Sequence, residues 1–133
     1  MTKDTSGKEN GYVIELTKEG RLTTCYLSSC YPGSFKGYHL HTIREANYVC
    51  IKGKLTIIMY FPDLSKKEVT LDASNPQRLH IPTYVATGLR NDGDEEAWIV
   101  NTPEPPYDPE LIGEQIDFTQ EQLEALRTGN KNI

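Results

Sequence analysis

Two of the three histidines stand two positions apart in the segment KGYHLH, residues 36 to 41. On an extended strand, residues i and i+2 point to the same face of the sheet, so His39 and His41 are predicted to project together, while Tyr38 and Leu40 point away. A pair of imidazoles on one face can ligate a metal ion, transfer protons or simply face solvent. The local sequence leaves these three interpretations open.

The histidine pair belongs to a longer pattern. Gly33 precedes it and Gly53 follows it at spacings that resemble the first sequence motif of the cupin superfamily. Pro82 and Asn91 stand in the frame of the second cupin motif. This resemblance implies a double-stranded β-helix, also called a jelly roll, in which the histidines face the interior of a small barrel.

A metal-dependent cupin, such as a dioxygenase, is disfavoured by residue type. The cupin frame needs a carboxylate at the position of Ala46 and a third histidine at the position of Thr87. Non-haem iron takes at least two histidines and a carboxylate, so the remaining pair makes a weak site. Glu45 is one residue out of phase and is predicted to face the other way. We therefore predict no metal site.

The overall composition limits the function further. The chain has 133 residues and a formal net charge of −5. This length predicts one domain with a real core, and the negative charge argues against broad capture of nucleic acid. A pocket for a small diphosphate remains possible, because such a pocket needs only two or three cations.

Cysteine usage and hydropathy indicate a cytoplasmic protein. Three cysteines, at positions 25, 30 and 50, fit no disulfide framework and are predicted to be reduced and buried. The first eleven residues lack the apolar core of a signal peptide. No apolar run approaches the roughly 18 residues of a membrane span, so no membrane association is expected.

Short alternating segments separated by turn residues predict an all-β domain. They recur at a spacing of about 8 to 12 residues, which is typical of sandwiches and barrels. Residues 46 to 61 are predicted to form a hairpin that turns at Gly53. Thr119 and Gln122 form a capping box for one short helix that ends near Gly129. We expect a flexible tail over 1–10, a cupin barrel over 11–118, and a helix and tail over 119–133.

The chain most closely resembles the metal-free cupins that modify dTDP-sugars. Among these it resembles the 3,4-ketoisomerases that act on dTDP-4-keto-6-deoxyglucose, and more distantly the dTDP-4-dehydrorhamnose 3,5-epimerases. KGYHLH is similar to the Arg-Gly-x-His-Ala-His motif of the ketoisomerases, and YDPELIGEQIDF is similar to their C-terminal run. The resemblance implies a homodimer that exchanges N-terminal strands, a nucleotide-sugar substrate, no cofactor and a place in deoxysugar or polysaccharide biosynthesis.

The resemblance also implies roles for individual residues. His41 would be the main base on the sugar carbon, His39 its partner, and Tyr26 a proton donor or an orienting group. A core position at the barrel mouth is the alternative for Tyr26, and an exposed surface position is the alternative for the cations. The candidate substrate-binding residues are Lys36, Arg44, Arg78 and His80.

Several departures from the family pattern support a second hypothesis. The ketoisomerases have glutamine at the position of Ala46, and a Trp followed by Arg or His at the positions of Ala86 and Thr87. Lys36 replaces their arginine and offers a point charge instead of a fork. The alternative to an isomerase is therefore a non-catalytic cupin that binds a sugar or nucleotide sugar.

Overall fold

The computed structural model describes residues 2–3, 9–11, 25–105 and 113–129. Its elements in chain order are β1 (Thr2–Lys3), β2 (Glu9–Gly11), β3 (Tyr26–Cys30), β4 (Phe35–His41), β5 (Ala46–Lys52), β6 (Lys54–Tyr60), β7 (Lys66–Asp72), β8 (Arg78–Ile81), β9 (Ala86–Arg90), β10 (Ala97–Asn101), β11 (Gln115–Asp117) and α1 (Gln120–Arg127).

Two antiparallel sheets form the domain. One has the strand order β3-β10-β5-β8, and the other has the order β11-β4-β9-β6-β7. Apolar side chains from both sheets meet in one buried cluster that includes Cys50, Leu55, Ile57, Ile81 and Ile99. Apart from β6 and β7, paired strands in both sheets are not consecutive in the chain, as in a jelly roll. The predicted all-β jelly roll with a short C-terminal helix is confirmed.

The turn at Gly53 is confirmed, but the predicted hairpin is wrong. β5 and β6 flank Gly53 and belong to different sheets, where β6 pairs with β7 and β9. Gly53 has φ of +69°, and a Cβ there would lie 3.1 Å from the carbonyl oxygen of Glu96. The chain therefore crosses between sheets through one residue whose conformation and tight surroundings suit glycine.

Helix α1 covers the outer face of the five-stranded sheet. Its predicted capping box is confirmed, because the Thr119 side chain accepts from the Gln122 amide and Gln122 accepts from the Thr119 amide. Leu123 is buried in a cluster with Tyr38 and Tyr60. The Tyr60 hydroxyl donates to Glu124 at 2.8 Å. The helix thus buries the side of the sheet that does not face the main core.

The remaining predictions have mixed outcomes. Cys30 and Cys50 are buried free thiols, but Cys25 is exposed, because it precedes β3 outside the core. In the segment predicted as a flexible tail, β1 and β2 pair with each other. The start of the YDPELIGEQIDF run lies outside the described residues. No helix in the described ranges has the length and hydropathy of a membrane span.

Candidate functional site

A cavity of about 210 Å³ opens between the two sheets. Strands β3, β4, β5, β8 and β9, with the loops that leave β4 and β8, supply its walls. The lining residues are Ser28, Lys36, His39, His41, Arg44, Ala46, Tyr48, Ile81, Pro82, Val85, Thr87 and Leu89. Polar and titratable groups from β4 thus face an otherwise mostly apolar hollow.

A bulge in β4 brings Lys36 to the same cavity as the histidines. Lys36 and His39 are three positions apart, so a regular strand would place them on opposite faces. The pairing of β4 with β9 shifts register between these two residues. Gly37 lies within the shift with φ of +115°, and a Cβ there would be 2.7 Å from the carbonyl oxygen of Thr87. The glycine of KGYHLH therefore aligns the lysine with the histidine pair.

His41 is held by a buried carboxylate and accompanied by a cation. Its Nδ1 lies 3.1 Å from both Oε1 and Oε2 of Glu114. Arg44 Nε donates to Glu114 Oε1 at 2.6 Å, and Arg44 Nη2 lies 3.1 Å from His41 Nδ1. An ionised carboxylate only accepts, so the His41 tautomer with hydrogen on Nδ1 donates to Glu114, and beside that tautomer the Arg44 guanidinium is a neighbouring charge and not a donor to Nδ1. In that tautomer Nε2 is an acceptor, which is the form a general base requires.

Burial and charge keep His41 neutral and Glu114 ionised. Burial lowers the pKa of His41, Glu114 opposes this effect, and the Arg44 guanidinium adds to it. Burial alone would raise the pKa of Glu114, but hydrogen bonds from Arg44 and the proximity of His41 lower it overall. The Glu114 side chain is only 5% exposed, so these contacts are well shielded from solvent.

His39 has a second carboxylate partner. Its Nδ1 lies 2.6 Å from Asp117 Oδ1, which also accepts from Gln115 Nε2 at 2.9 Å. These two hydrogen bonds, the one from Gln115 first, lower the pKa of Asp117. The His39 side chain is 48% exposed and that of His41 is 27% exposed. The site thus contains two histidine–carboxylate pairs, one nearer to solvent than the other.

Both carboxylates come from one short segment. β11 pairs with β4 so that Gln115 lies opposite His41 and Asp117 lies opposite His39. Glu114 immediately precedes β11, and its carbonyl oxygen accepts from the Thr42 amide at 2.8 Å. The sequence interpretation quoted this segment for its similarity to the ketoisomerase tail but assigned neither acid a role. The sequence signal that could have identified them is the presence of two acids three positions apart, just before the capping box.

No family model matches the chain, and no curated protein matches it. Three solved structures are similar to it. A dTDP sugar isomerase from Desulfovibrio desulfuricans G20 is 22% identical, with a TM-score of 0.68 over 90% of this chain and 80% of that one. QdtA, a sugar 3,4-ketoisomerase from Thermoanaerobacterium thermosaccharolyticum solved with TDP, is 16% identical, with a TM-score of 0.60 over 81% of this chain and 74% of that one.

The third structure is larger. The capsular polysaccharide assembling protein CapF from Staphylococcus aureus is 18% identical, with a TM-score of 0.66 over 74% of this chain, and this chain spans 27% of its length. The chain shares its jelly-roll fold with these three proteins. At identities below 25% this similarity concerns the fold alone.

The structure brings some predicted site residues together and separates others. His39, His41, Lys36 and Arg44 line the cavity. Tyr26 is exposed on β3 and is not among the described lining residues, although Ser28, two positions on, is one of them.

Two further candidates lie away from the cavity. Arg78 and His80 alternate along β8 with Leu79 and Ile81, which face the core. Arg78 and His80 therefore face outward, and His80 Nε2 contacts Glu45 Oε2 at 3.1 Å on that outer side. The period-2 alternation of a strand, counted back from Ile81, explains this placement.

The two positions at which a metal cupin needs ligands do lie in the cavity wall. Ala46 and Thr87 both line it, and Thr87 lies opposite His39 in the pairing of β4 with β9. The Thr87 hydroxyl donates to the carbonyl oxygen of Val85 at 3.3 Å. Within the described ranges, no three His, Cys, Asp or Glu side chains are grouped in the manner of a metal site. Glu45, bound to His80, faces away from the cavity, as predicted.

Proposed function

We propose that this chain is a nucleotide-sugar isomerase that moves a carbonyl between adjacent carbons of a dTDP-4-keto-6-deoxyhexose. One observation carries the proposal: two histidines of one strand face one cavity, and each has its Nδ1 held by a carboxylate, His41 by Glu114 and His39 by Asp117. Such pairs fix the tautomer and leave Nε2 to exchange protons with a ligand. The sugar-modifying enzymes with the same fold support the substrate class.

In this proposal His41 is the base. The hydrogen on the hydroxyl-bearing carbon next to the ketone is acidic, and neutral His41 removes it through Nε2. The resulting enediol is common to both ketones, so returning the proton to the neighbouring carbon completes the isomerisation. Glu114 stabilises the imidazolium that forms for the moment of transfer. His39, with Asp117, polarises a sugar oxygen beside the reacting carbons.

Lys36 is the proposed diphosphate contact. It lines the cavity next to the histidines because of the β4 bulge at Gly37, and an ammonium there attracts the negative charge of a nucleotide. Arg44 has a different part in this proposal. Its Nε is bound to Glu114 and its Nη2 lies beside His41, so it positions the base and adjusts its charge.

A second candidate is a cupin that binds a nucleotide sugar without turning it over. The small side chains of Ala46 and Thr87 favour it, because both positions lie in the cavity wall and neither supplies a titratable group. The two candidates share the ligand and differ in proton transfer. A test of solvent proton exchange therefore separates them.

We also propose that the protein is a cytoplasmic homodimer. Among the described strands, β3 stands at the edge of the four-stranded sheet, and Leu27 on β3 and Ile51 on β5 are exposed apolar side chains of that sheet. An exposed edge with apolar neighbours favours association with another copy. Light scattering after gel filtration should give twice the chain mass. A monomer at micromolar concentration would contradict this part of the proposal.

The test of the isomerase is incubation of the protein with dTDP-4-keto-6-deoxyglucose in deuterated water, followed by proton NMR. We expect loss of the C3 proton signal and appearance of the 3-keto product. Calorimetry with dTDP measures binding separately from turnover. Binding without exchange supports the non-catalytic candidate, whereas absence of both excludes the two candidates for this nucleotide. A folded His41→Asn variant with full activity would remove His41 as the base.

A further inference from the structure

Tyr48 is the one tyrosine among the described residues that line the cavity. It lies on β5 two positions beyond Ala46, and both side chains line the cavity. Tyr26, which the sequence interpretation placed in the site, is not among the described lining residues. The structure therefore has a tyrosine in the cavity, but at a different strand position.

The Tyr48 hydroxyl makes no side-chain hydrogen bond with the described part of the chain. Buried tyrosine hydroxyls usually find a partner, so an unpaired hydroxyl in a cavity wall is available to a ligand. The other largely buried phenols behave differently. The Tyr38 hydroxyl donates to Gln120, and the Tyr60 hydroxyl donates to Glu124.

The surroundings of Tyr48 suit a group that lends a proton. Burial raises its pKa, so the hydroxyl stays protonated at neutral pH and acts as a donor. The Arg44 guanidinium opposes this rise. A nearby cation also stabilises a phenolate that exists only during the reaction. Arg44 thus lies near two groups that would change charge, His41 and Tyr48.

We propose that Tyr48 is a catalytic residue that donates a proton to the sugar carbonyl oxygen and regains one from the neighbouring oxygen. This inference rests on the proposed isomerase function. His41 takes the hydrogen from C3 while Tyr48 protonates O4, which gives a neutral enediol, an imidazolium and a phenolate. The phenolate then takes the proton of O3 while His41 returns its proton to C4. Each group ends as it began, with no net oxidation.

The test compares Tyr48→Phe with Tyr31→Phe. Tyr31 is 69% exposed and does not line the cavity, so its variant controls for loss of a phenol hydroxyl. We expect Tyr48→Phe to convert dTDP-4-keto-6-deoxyglucose about a hundredfold more slowly than wild type, the low end of the usual acid–base contribution. Its Kd for dTDP should stay within about twofold of wild type, because in this proposal the phenol contacts the sugar and not the nucleotide. Turnover within about twofold of wild type would overturn the role.

Two further measurements cover the other outcomes. If Tyr48→Phe does not fold, site-specific 3-fluorotyrosine at position 48 lowers the phenol pKa, and the alkaline limb of the pH–rate profile must move down with it. An unmoved limb overturns the proposal. If the wild-type protein exchanges no sugar proton, the proposed isomerase function is wrong. Ligand binding then tests whether Tyr48 contacts the sugar. Tyr48→Phe must then weaken binding of dTDP-glucose and spare dTDP, whereas equal effects on both ligands exclude a sugar contact.

Discussion

The carboxylate of Glu114 lies 3.1 Å from His41 Nδ1 through each of its oxygens, although the two residues are 73 positions apart in the chain. Arg44 Nε binds the same carboxylate at 2.6 Å. A strand of three residues, β11, provides this contact by pairing with β4. The orientation and the charge of the proposed base therefore depend on a segment that the histidine motif does not include.

Replacing Glu114 with glutamine should make His41 a weaker base without leaving a gap in the site. Glutamine keeps the size of the side chain but removes the charge that stabilises the imidazolium form of His41. We expect kcat for the proposed isomerisation to fall about tenfold or more, a smaller loss than removal of the acid–base group itself, because His41 is retained. Since Glu114 raises the pKa of His41, its loss should also move the acidic limb of the kcat/KM profile to lower pH.

Glu68→Gln is the control for Glu114→Gln. Glu68 lies on β7 in an exposed ion pair with Arg90, away from the cavity. We expect this variant to keep the wild-type rate and pH profile. An acidic limb that stays in place for Glu114→Gln would contradict the assigned link between Glu114 and His41.

Neutralising Arg44 should move the acidic limb of the kcat/KM profile to higher pH, opposite to the effect of Glu114→Gln. Burial is the main cause of the low His41 pKa, and the Arg44 charge contributes in the same direction. In Arg44→Gln the charge is lost and Glu114 is no longer neutralised, so the His41 pKa rises and the limb moves to higher pH. Arg44→Lys retains the charge and should leave the limb closer to its wild-type position. Equal shifts in the two variants would show that the guanidinium shape, not its charge, matters.

Stability should decrease as the pH falls below the ordinary histidine value. Folding lowers the pKa of His41 below 6.5, so the unfolded chain binds a proton first as the solution is acidified. The contribution of neutral His41 to the free energy of unfolding is therefore fully present above pH 6.5. It is lost as the pH falls through the pKa that His41 has in the folded protein. We expect the melting temperature to decline from pH 7 to pH 5.5, and to decline less in His41→Gln. Parallel profiles would contradict the assignment to His41.

Gly37 should be intolerant of a side chain. A Cβ there would meet the Thr87 carbonyl oxygen at 2.7 Å, at φ of +115°. Strain and overpacking together predict a loss of about 3 kcal/mol or more in the free energy of unfolding of Gly37→Ala. Gly33→Ala is the matched control, because Gly33 has φ of +75° with no atom within 4 Å of the added Cβ. It should lose about 1–2 kcal/mol, and equal losses would show that the contact with β9 is unimportant.

The sequence was informative wherever one strand or helix determines the geometry. The shared face of His39 and His41 follows from strand period, and the capping box of α1 follows from residues three apart. Contacts between distant strands were not readable in this way. Nothing in the neighbourhood of Glu114 or Asp117 indicates that β11 pairs with β4, because the intervening chain length fixes no register.

One local prediction failed for a physical reason, and another succeeded through a feature that the local sequence does not show. Residues 46 to 61 look like a hairpin because a glycine separates two apolar strands, but β6 is apolar on both faces and needs cover from the core and from α1. Lys36 reaches the cavity only through a bulge, which regular alternation does not predict. In both cases tertiary packing decided between conformations that the local sequence allowed.

Lys36 provides a direct test of the diphosphate contact. It lines the cavity beside the histidines, so Lys36→Met should remove one charge-assisted contact while keeping the length of the side chain. We expect the Kd for dTDP to rise about tenfold, the size of one hydrogen bond to a charged group. The difference from wild type should shrink at high salt, because ions screen the attraction. Lys54→Met is the control, since Lys54 pairs with Asp72 outside the cavity. Equal dTDP affinity of the two variants in calorimetry would exclude Lys36 as the diphosphate contact. The diphosphate would then have to reach the histidine pair from another side of the cavity.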